Sequence, residues 1–338
     1  MRFGPVPLDQ AEGAILAHSL QLKARKIAKG TELSAADLRD LAAEDRTEVI
    51  VARLEPGDLH EDAAAEALAR AIVPDEVAQG LRISGAGAGR VNLYARTCGV
   101  VQLDRARLEA VNAVDPMISI ATVPEYHRVD VDGMVATIKI IAYGVPEADL
   151  TQAAKDASGA MRVLAPVYRT ATLIETRVSD ETPSDKGRAA MAGRLDRMGM
   201  DLTDRVVVPH REAELSTAIA AAPGEVILVL TGSATSDPMD VAPQALRRAG
   251  GQVTRFGMPV DPGNLLFLGS FGDRPVIGLP GCARSPALNG ADWVLERVIS
   301  GVDVTSEDIA AMGVGGLLKE IPTRPMPRRA APGGSGTG

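Results

Sequence analysis

The sequence predicts a three-layer α/β domain with a mostly parallel sheet over residues 161–305, preceded by a smaller α+β module over residues 1–160. The chain has 338 residues, which exceeds one average domain, so two or three compact units are expected. From about Tyr168 onward, strand-like apolar runs alternate with helix-like stretches. That alternation is typical of a parallel sheet covered by helices on both faces.

The predicted elements of the α/β domain follow one another in regular order. Strands are expected at residues 170–178, 205–209 and 225–230, and helices follow them at 184–200, 212–222 and 240–250. Three shorter strands are expected at residues 252–258, 265–269 and 274–280. A last helix over residues 285–301 would bury one apolar face at helical spacing, formed by Leu288, Ala291, Leu295, Val298 and Ile299.

The preceding module is less regular and is expected to contain at least two subdomains. A helix is predicted at residues 61–73, strands at 90–104 and 134–146, and a connecting helix at 147–161. Residues 306–338 are a C-terminal segment, and its end, from residue 321, is rich in Pro, Gly and Arg. Such a composition buries little apolar surface, which predicts a disordered tail.

Composition and charge limit the class of partner. The 44 acidic residues outnumber the 36 basic ones and give a net charge of −8, which argues against a nucleic-acid partner but allows a small anionic ligand. Two cysteines, Cys98 and Cys282, are too few and too far apart in sequence for a disulfide framework or a zinc knuckle. No apolar run has the length of a signal peptide or of a membrane span, so we expect a cytoplasmic protein without a membrane partner.

A polar loop directly follows the apolar strand at residues 225–230. Its small and hydroxyl-bearing members are Thr231, Gly232, Ser233, Thr235 and Ser236. Asp237 is expected to cap the next helix, with Pro238 at the first helical position and Asp240 at the third. The two carboxylates either serve only the helix terminus or hold Mg²⁺ beside an anion on the free amides.

Other loops offer weaker signals of the same kind. Asp180 and Glu181 follow the strand at 170–178, in either a solvated turn or a site beside the 231–240 loop. The Pro-Gly turns at Pro262-Gly263 and Pro280-Gly281 allow close backbone approach, or serve only as tight turns. The glycine-rich stretch at 84–90 lacks the third glycine of a dinucleotide fingerprint, and no P-loop motif occurs. The four histidines lie far apart and are interpreted as surface residues.

The stretches "LTGSATSDPMD", "DPGN" and "GLPGCARSP", in that order after an "SDE" turn, resemble the molybdopterin-binding domain. Molybdopterin adenylyltransferases, molybdopterin molybdotransferases and gephyrin share that domain. Its pattern runs roughly [ST]-[ST]-G-G-x-[ST]-x-G-x-x-D, then P-G-K-P, then L-P-G-N-P. The resemblance covers about residues 168–300. The first half of the chain looks like the module that precedes this domain in some bacterial molybdopterin-binding proteins.

The matches and the departures are both specific. Thr231 and Gly232 match the start of the family loop and Asp240 its final acid, while Asp180-Glu181 resemble the Asp-Glu of the molybdotransferases. The turns at Pro262-Gly263 and Pro280-Gly281 match the two Pro-Gly pairs of the family. The departures are Ser233 and Asp237 in place of two glycines, Asn264 in place of the lysine, and Cys282-Ala283 in place of Asn-Pro.

The resemblance implies binding of molybdopterin or adenylylated molybdopterin in molybdenum cofactor biosynthesis. The pterin phosphate would lie on the loop from Thr231 to Ser236, and Asp240, with Asp237 or Asp180, would bind Mg²⁺. A transferase would insert molybdate or transfer adenylate, with Asp240 and Glu181 as catalytic residues. The Pro-Gly turns would contact the ligand.

Two alternatives remain open at this point. One is a non-catalytic carrier or maturation factor that serves a molybdenum enzyme client, which the glycine and lysine replacements favour. The other is a nucleotide pyrophosphatase built on a related domain. We also expect a homo-oligomer, of a size that the sequence does not determine.

Overall fold

The structure is a computed structural model that describes residues 1–318, and these fall into two compact units. The first unit comprises Met1–Thr97 and Val101–Leu164, and the second comprises Cys98–Val100 and the chain from Ala165 onward. The tail expected from residue 321 lies outside the described residues. Within residues 1–318, no helix combines the length and the apolar character that crossing a membrane requires.

The first unit is built of short strands and four α-helices. In chain order, its described elements are β1 (Arg2–Pro7), a 3-10 turn (Leu8–Gln10), β2 (Ile15–Leu16), β3 (Leu20–Gln21), β4 (Lys26–Ile27), α1 (Ala35–Ala42), β5 (Glu48–Arg53), β6 (Asp58–His60), α2 (Glu61–Ile72), β7 (Leu81–Ile83), β8 (Arg90–Ala95), β9 (Gly99–Leu103), α3 (Arg105–Val114), β10 (Ile118–Thr122), β11 (Arg128–Val129), β12 (Met134–Ile140), β13 (Gly144–Pro146), α4 (Glu147–Ala154) and β14 (Met161–Leu164).

These strands form several small sheets around two buried clusters. One sheet has the order β1-β5-β2, another β10-β12-β8-β7 and a third β11-β9-β14, with β13 paired to β6 and β3 to β4. Leu16, Leu41 and Val51 belong to the first apolar cluster, and Leu68 and Ile138 to the second. The unit therefore mixes helices and sheets, as the α+β interpretation predicts.

Two long strands predicted in this unit are each divided. The strand expected at 90–104 is β8 and β9, which are separated by a bend at residues 96–98 and lie in different sheets. The strand expected at 134–146 is likewise β12 and β13. Periodicity reports the buried face of each strand but not the change of pairing partner between them.

The second unit contains the elements of the predicted α/β domain. In chain order, they are β15 (Thr170–Arg177), α5 (Asp185–Asp196), β16 (Asp201–Leu202), β17 (Val206–Pro209), α6 (Glu212–Ala221), β18 (Val226–Leu230), α7 (Val241–Arg248), β19 (Gln252–Phe256), β20 (Phe267–Phe271), β21 (Arg274–Leu279), a 3-10 turn (Gly281–Arg284), α8 (Gly290–Ile299) and α9 (Ser306–Ala311).

The seven strands described in this unit form one mixed sheet. Its order is β16-β15-β18-β21-β20-β19, and β17 also pairs with β15. The pairings of β15 with β16, β17 and β18, and of β18 with β21, are parallel. Strand β20 runs antiparallel to both β19 and β21. The fold-class prediction is therefore confirmed in part, for a sheet with helices that is mixed at one side.

Strand β18 lies at the centre of the sheet and is buried on both faces. All five side chains of Val226–Leu230 are at most 1% exposed. Val226 and Leu228 belong to an apolar cluster with residues of α5 and α8, whereas Ile227 and Val229 belong to one with residues of α6 and α7. Helices thus cover both faces, which explains why this strand is a continuous apolar run rather than an alternating one.

The last helix begins later than its apolar pattern predicts. Helix α8 starts at Gly290, because Asn289 forms a capping box with Asp292 that ends the preceding loop. Leu288, which we expected on the buried face, therefore precedes the helix and is 44% exposed. That part of the prediction is wrong, whereas Ala291, Leu295, Val298 and Ile299 are buried as expected.

Candidate functional site

The site predicted from the sequence lies at one edge of the sheet of the second unit. The parallel strands β15, β17, β18 and β21 end at this edge. Strand β19 ends there too and β20 begins there, since Phe267 pairs with Gly278 near the end of β21. Every predicted site residue lies in a loop that opens at this edge, namely 178–184, 231–240, 257–266 or 280–289. Ligands bind at this position in open α/β sheets.

The loop 231–240 is anchored at its start by contacts with β15. The amide of Gly232 donates a hydrogen bond of 2.8 Å to Thr176 Oγ1. A Cβ atom at Gly232 would lie 2.6 Å from the carbonyl oxygen of Thr176, so only glycine fits there without a shift of the backbone. Buried Thr231 donates from Oγ1 to the carbonyl of Ser233 at 2.5 Å, and Thr235 Oγ1 lies 3.3 Å from the same hydroxyl.

The middle of this loop presents unbonded backbone donors. The amides of Ser233, Ala234 and Thr235 donate to no acceptor within residues 1–318. The next amide, of Ser236, is bonded to Asp240 Oδ2 at 3.0 Å. Consecutive free N–H groups ahead of a helix N-terminus are suited to bind an anion, because the N–H dipoles and the helix dipole both favour negative charge.

The helix after this loop is capped by Asp240 and not by Asp237. Helix α7 begins at Val241, and Asp240 Oδ1 accepts a hydrogen bond of 2.7 Å from the amide of Val241. Asp237 forms a turn of its own, in which Oδ1 accepts from the amide of Met239 at 2.7 Å. The predicted cap is therefore wrong by three residues, because this local turn holds the chain out of helical geometry until Asp240.

The acidic residues after β15 lie on an exposed turn. Asp180 is fully exposed, and its Oδ1 is 3.1 Å from the guanidinium of Arg177. Glu181 is also exposed, and its amide donates to Ser179 Oγ at 3.4 Å. Across residues 1–318, no three His, Cys, Asp or Glu side chains are close enough together to hold a metal ion. Asp180, Asp237 and Asp240 accordingly do not form a three-ligand cluster.

The loop 280–289 reaches the loop 231–240 through Arg284. Its guanidinium donates to the carbonyl of Thr231. Gly187, near the start of α5, makes room for this contact, since a Cβ there would lie 2.7 Å from Leu230 and 3.4 Å from Arg284 Cγ. Pro280 and Gly281, which the sequence pairs as a ligand-binding turn, form the start of the same 3-10 turn that carries Arg284.

A buried ion pair between α5 and α8 supports the loop 280–289. Arg194 of α5 pairs with Asp292 of α8, and each side chain is only 4% exposed. The same guanidinium donates to the carbonyls of Ala283, Ser285 and Ala287. One side chain thus binds three carbonyls of the loop, which fixes its path across the sheet edge.

The turn at Pro262-Gly263 packs on the start of helix α8. The amide of Gly290 donates to the carbonyl of Pro262 at 2.8 Å, and a Cβ at Gly263 would lie 2.8 Å from that amide nitrogen. Asn264, which replaces the family lysine, donates to the carbonyl of Met258 at 3.3 Å. No hydrogen bond among the described residues joins this turn to the loop 231–240.

Several contacts of the site involve residues that the sequence reasoning did not select. Thr176 Oγ1, which accepts the Gly232 amide, also lies 2.8 Å from His210 Nδ1. His210 in turn lines a depression of about 360 Å³ with Arg177 and Arg211. Buried Glu175 binds Arg205 at 2.8 Å, and Arg205 also pairs with the exposed carboxylate of Asp185. These partners lie 20 to 56 residues apart in sequence, so local pattern gives no sign of them.

The fold and the loops define a class, an α/β domain with a loop of unbonded amides at the carboxyl edge of its sheet. Residues 172–299 match the family model described as a probable molybdopterin binding domain. This stretch of the second unit is therefore similar to a domain described as binding molybdopterin.

Similar solved structures are at low identity. One is the molybdopterin biosynthesis moea protein from Pyrococcus horikosii, at 12% identity and TM-score 0.31, covering 89% of this chain and 75% of that one. Another is molybdenum cofactor biosynthesis protein B, at 15% identity and TM-score 0.30, covering 40% and 96%. A third is a molybdenum cofactor biosynthesis protein from Pyrococcus furiosus, at 12% identity and TM-score 0.24, covering 88% and 61%. No curated protein sequence matches the chain.

Proposed function

We propose that the second unit binds molybdopterin or its adenylylated form, with the pterin phosphate on the loop 231–240. The observation that carries this proposal is the run of three unbonded amides at Ser233, Ala234 and Thr235, between the anchored residues Gly232 and Ser236. A phosphate would accept those three N–H bonds without displacing any bond within the protein. The family of residues 172–299 supports a pterin as the group that carries the phosphate.

Magnesium would be held jointly by the protein and the ligand. Asp240 accepts one amide on each carboxylate oxygen and Asp237 accepts one, so both retain lone pairs for a cation. Mg²⁺ commonly binds through one or two carboxylates together with phosphate oxygens, and two carboxylates beside the free amides fit that pattern. The third predicted ligand, Asp180, is paired with Arg177, and an ion there would compete with that guanidinium. When bound, the ion would neutralise charge on the phosphate.

The reaction that we propose for this site is transfer at the adenylylated pterin, with molybdate inserted and AMP released. Asp240 would act through the cation, and the exposed carboxylate of Glu181 is the proposed proton carrier. A second candidate is binding without turnover, as a carrier for a molybdenum enzyme client. It is favoured by Asn264, whose uncharged side chain is bonded to its own loop where the family pattern has a lysine.

Binding is tested with the full-length chain and molybdopterin, by measuring the fluorescent oxidised pterin that stays with the protein through gel filtration. We expect the wild type to retain pterin and Gly232→Val to lose it, since the new side chain meets the Thr176 carbonyl and displaces the amides. Arg248→Met, at the exposed end of α7, is the matched control and should retain pterin. Equal retention by the wild type and Gly232→Val, or none by the wild type, would overturn the proposal.

Turnover is tested by supplying adenylylated molybdopterin, Mg²⁺ and molybdate and measuring released AMP. Asp240→Asn keeps an acceptor for the Val241 amide but removes the charge, so a transferase should lose AMP release while its helix stays capped. A carrier retains pterin and releases no AMP in either form. Release of two mononucleotides from a dinucleotide substrate would instead identify a nucleotide pyrophosphatase.

A further inference from the structure

The hydroxyl of Thr176, near the end of β15, lies between the loop 231–240 and His210. Its Oγ1 accepts a hydrogen bond of 2.8 Å from the Gly232 amide and lies 2.8 Å from His210 Nδ1. Thr176 is only 1% exposed, and its hydroxyl has no third hydrogen-bond partner among residues 1–318. Because the Gly232 amide is a donor, the single hydroxyl hydrogen has only His210 Nδ1 as an acceptor within the described part of the chain.

This arrangement decides which nitrogen of the His210 ring carries a hydrogen. A neutral imidazole has one nitrogen that donates and one that accepts, whereas the protonated ring donates from both. If Nδ1 carried a hydrogen, the ring and the Gly232 amide would both donate to Oγ1, and the hydroxyl hydrogen would have no acceptor among residues 1–318. A buried donor without an acceptor is costly. The bonded form therefore has a neutral ring with its hydrogen on Nε2.

His210 is itself held in place against β15. It directly follows β17, and its amide donates to the carbonyl of Arg177 at 2.8 Å. The charged side chains that line the same depression as the ring are Arg177, Asp180 and Arg211. Arg177 pairs with Asp180, and Arg211 with Glu214 on α6. None of these four side chains bonds the ring, so Nδ1 meets the threonine hydroxyl without a competitor among them.

We propose that His210 is a positioning residue for the loop 231–240 and acts through the Thr176 hydroxyl. By accepting the hydroxyl hydrogen at Nδ1, His210 turns a lone pair of Oγ1 toward the Gly232 amide. That amide directly precedes the three unbonded amides of the loop, so the bond fixes where the row of free donors begins. This role deepens the proposed function and rests on it only for the effect on pterin binding.

Two variants of nearly equal size separate positioning from the filling of space. His210→Asn keeps a side-chain oxygen at the position of Nδ1 and still accepts the hydroxyl hydrogen, whereas His210→Leu has the same branching and no acceptor. Hydrogen exchange of the Gly232 amide and retention of molybdopterin are measured on the full-length chain. We expect His210→Leu to speed exchange and to weaken retention by about tenfold each, the usual effect of one lost hydrogen bond. His210→Asn should stay within about threefold of the wild type in both.

The order of the two variants is the decisive readout. A side chain that only fills space would be replaced better by leucine than by asparagine, because leucine buries more apolar surface. His18→Asn, at an exposed histidine of the first unit, is the matched control and should change neither exchange at Gly232 nor retention. Exchange at Gly232 that is unchanged in His210→Leu, or as fast in His210→Asn as in His210→Leu, would overturn the proposal even where pterin binds.

The ring itself is observed by side-chain nitrogen NMR of the isotopically labelled wild type at mildly alkaline pH. We expect His210 to carry its hydrogen on Nε2 and to accept at Nδ1, and a hydrogen on Nδ1 would overturn the proposal. This measurement decides the question if His210→Leu does not fold. Exchange and NMR are both recorded without pterin, so they test the positioning role even if the wild type retains no pterin and the proposed function fails.

Discussion

Two loops at the same sheet edge, 231–240 and 280–289, are held in opposite ways. The loop 280–289 is held by Arg194, which pairs with Asp292 and donates to three carbonyls of the loop. The loop 231–240 is anchored at its two ends and leaves three amides between them unbonded. The carbonyls of the loop 280–289 are thus satisfied within the protein, whereas the loop 231–240 keeps three amide donors that no protein group accepts among residues 1–318.

The largest effect on stability is expected from removing Asp292, the buried acid that pairs with Arg194 under the loop 280–289. Asp292→Ala leaves the Arg194 guanidinium buried without a counter-charge, and we expect a loss of about 3–5 kcal/mol in the free energy of unfolding. Chemical denaturation followed by the fluorescence of Trp293, the sole tryptophan, measures it. The double variant Arg194→Met/Asp292→Leu should recover only the part due to the unpaired charge, because it also removes the donors to three loop carbonyls and the capping bond from Asn289. A loss below about 1 kcal/mol in the single variant would show that the pair does not fasten the loop.

A methyl group at Gly232 tests how the start of the loop 231–240 is anchored to β15. Gly232→Ala brings a Cβ to 2.6 Å from the Thr176 carbonyl, and we expect a cost of about 1–3 kcal/mol with displaced amides. Gly193→Ala is the matched control, since Gly193 lies exposed within α5 with open space around it. That control should gain up to about 1 kcal/mol from helix propensity. Equal effects at the two glycines would contradict the close approach at Gly232.

The hydroxyl of Thr176 should contribute less than the glycine. Thr176→Val keeps the shape of the side chain but removes the acceptor of the Gly232 amide and the partner of His210 Nδ1. We expect a loss of about 1–2 kcal/mol, because a buried amide is left without its acceptor. Faster hydrogen exchange at Gly232 checks the local cause. Thr217→Val, on the exposed face of α6, is the control, and an unchanged exchange rate at Gly232 would argue against the contact.

The smallest effect is expected in the first unit. Ser34 caps α1 in a capping box with Asp37, and hydrogen bonds from Ser34, then Arg25, lower the pKa of Asp37 to about 2. A carboxylate whose pKa is lowered on folding stabilises above its unfolded pKa, near 3.8, and that stability disappears as the pH falls toward about 2. Ser34→Ala should therefore cost about 1 kcal/mol at neutral pH and show a smaller further loss between pH 4 and 2.

Acid titration of stability with both proteins checks this last expectation. The loop variants should leave that pH dependence unchanged, because their substitutions lie in the second unit. An identical acid profile for Ser34→Ala and the wild type would mean that the serine does not set the pKa of Asp37.

The order of elements in the second unit is readable from the sequence because each is a local pattern. The strand expected at 170–178 is observed at Thr170–Arg177, and the helix expected at 184–200 at Asp185–Asp196. The residue at which a helix begins is harder to predict, because neighbouring polar residues can each act as the cap. Asp237 was predicted to cap α7, but Asp240 is the cap. Helix α8 begins after its cap, Asn289, so Leu288 lies before the helix.

The contacts that organise the site were not predictable in the same way. Arg284 meets the Thr231 carbonyl across 53 residues, and Arg194 meets Asp292 across 98. Such pairs depend on strand order and on the path of loops, and neither leaves a periodic signal in one sequence. The candidate residues of the loop 231–240 were selected because strand end, loop and helix start are adjacent in the chain.

The backbone conformation of the loop 231–240 determines which of its positions require glycine. Among residues 1–318, the non-glycine residues with positive φ all lie outside this loop, so the backbone at Ser233 and Asp237 does not require glycine. Recognition through main-chain N–H groups does not depend on side-chain identity, provided that proline is absent from the donor positions. A change at position 233 is therefore compatible with the same unbonded amides, whereas Asp237 also bonds the Met239 amide and Gly232 has no room for a Cβ beside the Thr176 carbonyl.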